Sequence, residues 1–285
     1  MKKINVAYRL LGLLALLSVV SCTDLAHVHR FAESGRKEMA TGNALAYNFS
    51  QACLDRCRLN AMRTFDIKRE ESCNCKLYED ADAVTHKIER ALAKYFTALS
   101  RLSNDELTNY NVDPLADALA EGQFGSVTIE KKQAEAYTSI AQILLKATTD
   151  AYRRKKSRDY IAAGNEPVQV LLTKLQFILN SNLATEIDFK KESLYTYYNE
   201  LKQSRKLSDY ERGEAVKTYY DQLNQASRQK TAILKYSRAL EKTAAAHQQL
   251  YINRDKLSVA QIRSLLQEYT DEINGIMEGL QQLKN

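Results

Sequence analysis

The chain has 285 residues, of which 45% are apolar and 27% carry charges of mixed sign, enough to bury a core under solvated faces. Two prolines and nine glycines are too few for a β-rich fold, which needs frequent turn residues. The net charge of +6 is owed partly to three bases near the N-terminus, so it does not point to a nucleic-acid partner.

Those bases, Lys2, Lys3 and Arg9, precede Leu10 to Val20, an apolar run of eleven residues. It is too short to span a bilayer as a mature helix. Basic then apolar is the order of a secretory signal. Val19-Val20-Ser21-Cys22 comes next. This stretch resembles the lipobox of bacterial lipoproteins: an aliphatic residue, a tolerant position, a small residue, and the cysteine that takes the lipid. Val19 stands where Leu is commoner. The resemblance covers about the first 22 residues. It implies removal of residues 1–21 as a signal peptide and acylation of Cys22, with palmitate among the acyl chains. The membrane is then a partner through that anchor. Thr23, not Asp, stands after the cysteine. The resemblance therefore implies the outer membrane, facing the periplasm, rather than the inner. Cleavage leaves 38 basic and 35 acidic residues, a net +3.

Residues 22–42 are expected as an anchored lead-in, broken at Gly42-Asn43, and residues 43–285 as a helical bundle. Its first part, 43–103, reads as a hairpin. The helix from Asn43 to Ile67 carries Cys53 and Cys57, and a polar turn over 68–75 carries Cys73 and Cys75. After export these four would sit in an oxidising space. Cys53 and Cys57 share a helix face about 6 Å apart along the axis. Cys73 and Cys75 point the same way about 6.6 Å apart if the chain is extended. The spacing predicts nested bridges, Cys57–Cys73 inside Cys53–Cys75. Each would contribute roughly 3 kcal/mol by restricting the unfolded chain. Four cysteines also suit zinc, but exported thiolates usually oxidise first. A redox pair normally uses C-x-x-C on a βαβ scaffold, for which there is no pattern here.

From Leu77 the apolar residues Ala81, Val84, Ile88, Ala91, Tyr95, Ala98 and Leu102 step by four and three, the seam of packed helices. Leu92, Phe96 and Leu99 widen it. Residues 103–128 look irregular, with a short helix from Pro114 to Ala120 and a flexible loop over Gly122 to Ser126. Long helices are predicted over 129–283. The first is expected to stop at Gly164-Asn165, and Pro167 to start the next. That helix has a seam beginning Val168, Leu172, Leu175, Leu179 and drifting through Leu183 and Ile187. Ser208 with Glu211, and Ser258 with Gln261, are predicted capping boxes. Between them Val216, Tyr219, Leu223, Ala226, Lys230, Ile233, Ser237, Leu240, Ala244, His247 and Tyr251 continue the three–four spacing. The expected fold is all-α: an elongated bundle of long antiparallel, coiled-coil-like helices with a disulfide-stapled N-terminal hairpin.

Little points to chemistry. There is no Gly-rich phosphate loop, nucleophile elbow or H-E-x-x-H. No catalytic residue, cofactor or metal site is expected, and the protein is read as not an enzyme. His27 and His29 point to different helix sides, His86 shows no evident partner, and His247 is expected as a hydrogen-bonded core histidine. Asp80 and Asp82 are expected to face solvent. The run Arg153-Arg154-Lys155-Lys156 with Arg158 is placed in the last turns of a helix, where the dipole favours cations. Its second reading is a patch for anionic lipid or an acidic partner. Clustered tyrosines at 195, 197, 198, 219 and 220 are expected at a boundary between core and water. The functional expectation is a non-enzymatic envelope scaffold with a protein partner, self-association included and nucleic acid excluded. The alternative is a binding module for a small or lipidic ligand held between helices.

Overall fold

A computed structural model describes residues 25–42, 45, 47–104, 118–149, 157–204 and 206–283. Helix α1 (Ala26–Gly42) is followed by α2 (Phe49–Thr64), a 3-10 turn (Ile67–Glu70) and α3 (Lys76–Ser103). Strands β1 (Gly122–Phe124) and β2 (Val127–Ile129) come next, then α4 (Lys131–Thr149) and α5 (Ser157–Phe177). A π-helical stretch (Ile178–Leu183) joins α5 to α6 (Ala184–Gln203), and α7 (Asp209–Ile252) and α8 (Ala260–Gln282) complete the chain. The fold is all-α apart from one hairpin, as the patterning predicts.

Helix α3 is the centre. Its seam residues Ala81, Val84, Ile88, Ala91, Tyr95, Ala98 and Leu102 are buried, and so are Leu92, Phe96 and Leu99. Leu77, the first of the seam, is exposed. Helix α1 lies antiparallel along α3. His29 meets the Ser100 carbonyl at 3.0 Å near one end, and Gly35 meets the Phe96 ring further along. Segment 26–42 is thus a core helix, burying Val28, Phe31, Ala32 and Met39, rather than a lead-in to the bundle. Helix α2 continues the antiparallel path. Its start is held by Asp82, whose carboxylate accepts from the Phe49 and Ser50 amides, each at 2.9 Å. Asp82 therefore caps a neighbouring helix instead of facing water, while Asp80 pairs with Lys76.

Several local expectations are corrected. Helix α5 does not stop at Gly164-Asn165 or restart at Pro167; it runs through all three. A Cβ at Gly164 would overlap the Tyr95 ring, so this glycine permits a close helix crossing. Pro167 removes one backbone donor from a helix that its neighbours already hold in the core, where Val168, Leu171 and Leu172 are buried. Gly122 to Ser126 is not a loose loop: Gly125, at φ 57°, makes the turn of the β1–β2 hairpin. Ala118 to Ala120 is not helical, and the rest of the expected helix from Pro114 lies outside the described residues. The Ser208–Glu211 capping box is present, but α8 begins after Val259 with no side-chain cap.

The drift of the seam past Leu179 has a cause. The π-helical turn over Ile178–Leu183 widens the helix by a residue and rotates the start of α6 relative to α5. Ile178, Leu179, Leu183 and Ile187 stay buried through it.

The molecule has two distinct ends. At one end lie Leu25, the end of α3, the start of α5, the end of α7 and the start of α8. Ser157 donates to the Leu102 carbonyl there, and Arg158 pairs with Asp255 at 2.9 Å. From this end α8 descends along α7, with Lys242 paired to Glu272 at 2.7 Å and Lys235 donating to the Gly279 carbonyl at 3.3 Å. At the other end are the α6–α7 turn and the end of α2. Helix α7 spans about 65 Å at 1.5 Å per residue. From Ala226 onward it is buried, at Ala226, Ile233, Leu240 and His247, and again at Tyr236, Thr243 and Leu250. Its first turns are exposed, Val216 included, because α8 does not reach them.

Two substitutions check this packing. Gly164→Ala should destabilise the fold by about 1–3 kcal/mol through overpacking against Tyr95. Gly275→Ala, where a Cβ meets nothing within 4 Å, should stabilise α8 by up to ~1 kcal/mol. Chemical denaturation of both variants reads the difference; a neutral Gly164→Ala would rule out the crossing described.

Candidate functional site

Three features carry chemistry. The first is the cysteine corner, where Cys53 and Cys57 of α2 lie against the stretch that leads into α3. Bridges join Cys53 to Cys75 and Cys57 to Cys73, with Cα–Cα separations of 5.8 Å and 6.2 Å. This is the nested pairing that the spacing predicts. Helical residues 53 and 57 face the irregular stretch 73–75, so each cysteine meets its counterpart without crossing. The Sγ atom of Cys73 also lies 3.9 Å from that of Cys53 and 3.7 Å from that of Cys75. The corner borders a shallow depression of about 450 Å³, lined by Arg56, Arg69 and Tyr78 among others.

The second feature is a cleft of about 400 Å³ between α2, α6 and α7. Helices α2 and α6 run in the same direction. Arg56 pairs with Glu186 at 2.8 Å, Lys190 with Asp55 at 2.7 Å, and Arg63 with Glu200 at 3.2 Å. The Lys190–Asp55 pair is largely shielded, at 14% and 16% exposure. Asp55 also accepts from the Gln51 amide at 2.8 Å, and Lys190 sits over the Tyr47 ring at 5.4 Å. Gln222, Gln225 and Gln229 line the α7 wall, and Phe189 exposes its ring beside them. Met62, Leu194 and Gln222 also line a smaller, more apolar groove of about 280 Å³ with Tyr197, Tyr198 and Tyr219. Tyr198 and Tyr219 pack at 5.2 Å between centroids. Tyr219 is half-buried while Tyr195 and Tyr220 are exposed, the boundary placement their clustering predicts.

The third is a buried polar seam between α1, α3, α5 and α7. The Glu38 carboxyl accepts from the Thr243 hydroxyl, and Glu89 accepts from the Tyr236 hydroxyl at 3.3 Å and meets His86 Nδ1 at 2.9 Å. His86 thus has a partner one turn away, and that contact, the largest influence on it, raises its pKa. His247 Nε2 meets the Tyr95 hydroxyl at 2.8 Å and its Nδ1 meets Asn165 Oδ1 at 3.1 Å, the core histidine expected. Burial pushes the Glu38 carboxyl up to about 8, against the opposite effect of Thr243, and pulls His247 down to about 3. Both are therefore neutral near pH 7. His27 is buried on α1, and His29 bonds the end of α3.

Cys22 and Arg153, Arg154, Lys155 and Lys156 lie outside the described residues. Arg158 falls in the first turn of α5, not the last turn of a helix, and is neutralised by Asp255 rather than by a helix dipole. The cleft residues are not evident in the sequence. Arg56 and Glu186 are 130 positions apart, and each alone looks like a solvated charge. Among the described helices none is long and apolar enough to cross a membrane. No protein-family model, characterised protein or solved structure matches this chain.

The buried acid and the inner bridge can each be tested. Between pH 4.5 and about 8 the folded chain holds the Glu38 proton that the unfolded chain has released, so this group's contribution to stability falls as pH rises. The upper bound is roughly 5 kcal/mol above pH 8, at 1.36 kcal/mol per unit. Glu38→Gln should flatten that alkaline decline; melting curves at pH 5.5 and 9 that shift in parallel for both proteins would contradict it. Separately, Cys57→Ser should lower the melting temperature by the equivalent of about 2–4 kcal/mol and leave the helical circular dichroism intact. A change below the error of the scan would mean that the inner bridge does not staple the corner.

Proposed function

We propose that the chain is a membrane-anchored, non-enzymatic envelope scaffold whose bundle docks a protein partner at the end far from its anchor. The observation that carries this is the polarity of the molecule. Leu25, three residues after the lipobox cysteine, lies at one end. At the other, Phe65 and Ile67 are each 87% exposed and Tyr210 77%. The pairing of Arg63 with Glu200 brings the end of α2 beside the α6–α7 turn, and so puts these residues on one end face. Asp66, Lys68, Lys206, Asp209 and Arg212 are exposed around them. Large apolar side chains inside a rim of mixed charge have the composition of protein interfaces. A rim of both signs fits a protein better than an anionic membrane, which would call for bases alone.

A second reading is a binding module for a small polar ligand in the α2–α6–α7 cleft. Four glutamines and the shielded Lys190–Asp55 pair beside one exposed ring favour it.

The anchor is tested by Cys22→Ala, which should abolish uptake of labelled fatty acid and release the protein from the membrane fraction. Docking is tested by photo-crosslinkers placed at Phe65 and at Gln261 in intact cells. The scaffold reading expects one discrete adduct from position 65 and none of that mass from 261. Equal patterns from both, or unchanged acylation of the Cys22 variant, would refute it.

A further inference from the structure

We infer that the cysteine corner is also a zinc site, closed by a single Zn²⁺ when its two bridges are reduced. Sulfur positions and the surrounding charge carry this, independently of the scaffold reading. In a tetrahedral thiolate site, Zn–S bonds of about 2.3 Å put the sulfurs about 3.8 Å apart. The non-bonded contacts from Cys73 Sγ, at 3.9 Å and 3.7 Å, already match that edge. All four Sγ atoms lie within 4.8 Å of one another. Opening each bridge to the same spacing completes the tetrahedron around a central ion, and side-chain rotation supplies the movement. Two cysteines one helical turn apart face two from a short irregular stretch, so all four side chains can converge on one point.

The charge suits the dianionic cluster that four thiolates make around Zn²⁺. Cys75 is the N-cap residue of α3, with no side-chain cap of its own, so its sulfur lies at the positive end of a 28-residue helix. Arg69 lines the adjoining depression, as does Arg56, whose charge is shared with Glu186. Of the acids around this corner, Glu70 is paired with Arg58 and Asp80 with Lys76, while Glu71 and Glu79 are exposed to water. That depression also leaves the sulfurs accessible, since Cys57, Cys73 and Cys75 are only half-buried.

The chemistry balances. Two equivalents of a dithiol reduce the two bridges, each becoming a disulfide itself and delivering two electrons and two protons. Zn²⁺ then displaces four protons from the four thiols as it binds. The α2–α3 corner is thereby held shut in oxidising surroundings by covalent bonds and in reducing ones by metal.

The test uses the whole mature chain, reduced with a phosphine that is then removed under argon, and titrated with Co²⁺ alone. One equivalent per chain should bind, with the intense visible bands of a tetrahedral thiolate site, and one equivalent of Zn²⁺ should bleach them. Zinc should also restore the melting temperature lost on reduction. Reduced Cys57→Ser should lose the bands. Its oxidised form keeps the Cys53–Cys75 bridge, so its circular dichroism separates lost ligation from lost fold. Weak octahedral absorption, binding well below one equivalent, equal binding by the unreduced chain, or full bands in Cys57→Ser would each overturn the inference.

Discussion

The bundle depends on how it buries one hydroxyl. Tyr95 lies fully inside, at the crossing of α3, α5 and α7. A phenol there needs a partner, and a buried polar group without one costs roughly 1–3 kcal/mol. His247 from α7 supplies it. Asn165 from α5 holds the other face of that imidazole. The Tyr95 ring stacks on Tyr160 at 4.9 Å, and Gly164 leaves the room. Three helices are thus fixed in mutual register by one side chain. Apolar seams alone tolerate sliding by a heptad; this junction does not, because a shifted His247 would leave two buried polar groups unpaired. The Glu38–Thr243 contact repeats the device between α1 and α7. The Tyr95–His247 contact requires a neutral imidazole, which burial enforces.

Local periodicity made part of this fold legible in the sequence. The α3 seam, the Ser208–Glu211 cap and the nested cysteines rest on spacings within one element or across one turn. Sequence reading fails where a tertiary contact overrides a local signal. Gly164, Asn165 and Pro167 look like punctuation, yet the glycine serves the Tyr95 ring and the asparagine serves His247. Ser258 and Gln261 have the spacing of a cap, but Val259 takes that position. Gly122 to Ser126 look like a loop, since three-residue strands are too short to show alternation. The cleft is illegible for a different reason. Its ion pairs join α2 to α6 across more than a hundred residues, and nothing in a single sequence marks which charges will meet.

Geometry also sets the two ends of the molecule apart. The disulfide corner fixes the α2–α3 turn, and so fixes where Phe65 and Ile67 project. Helices α6 and α7 extend past the end of α8 to meet them, leaving a narrower arm at that end. The buried junctions lie towards the other end, that of Leu25. The buried polar junctions and the exposed apolar end are thereby placed in different parts of the bundle.

Energy transfer to a lipid dye tests the proposed separation of anchor and docking end most directly. The acylated protein would be reconstituted in vesicles and labelled at position 67 or at position 258, single sites at the two ends of a helical span of about 65 Å. Strong transfer from 258 and weak transfer from 67 are expected. Equal transfer from both positions, or stronger transfer from 67, would contradict an anchor and a docking face at opposite ends.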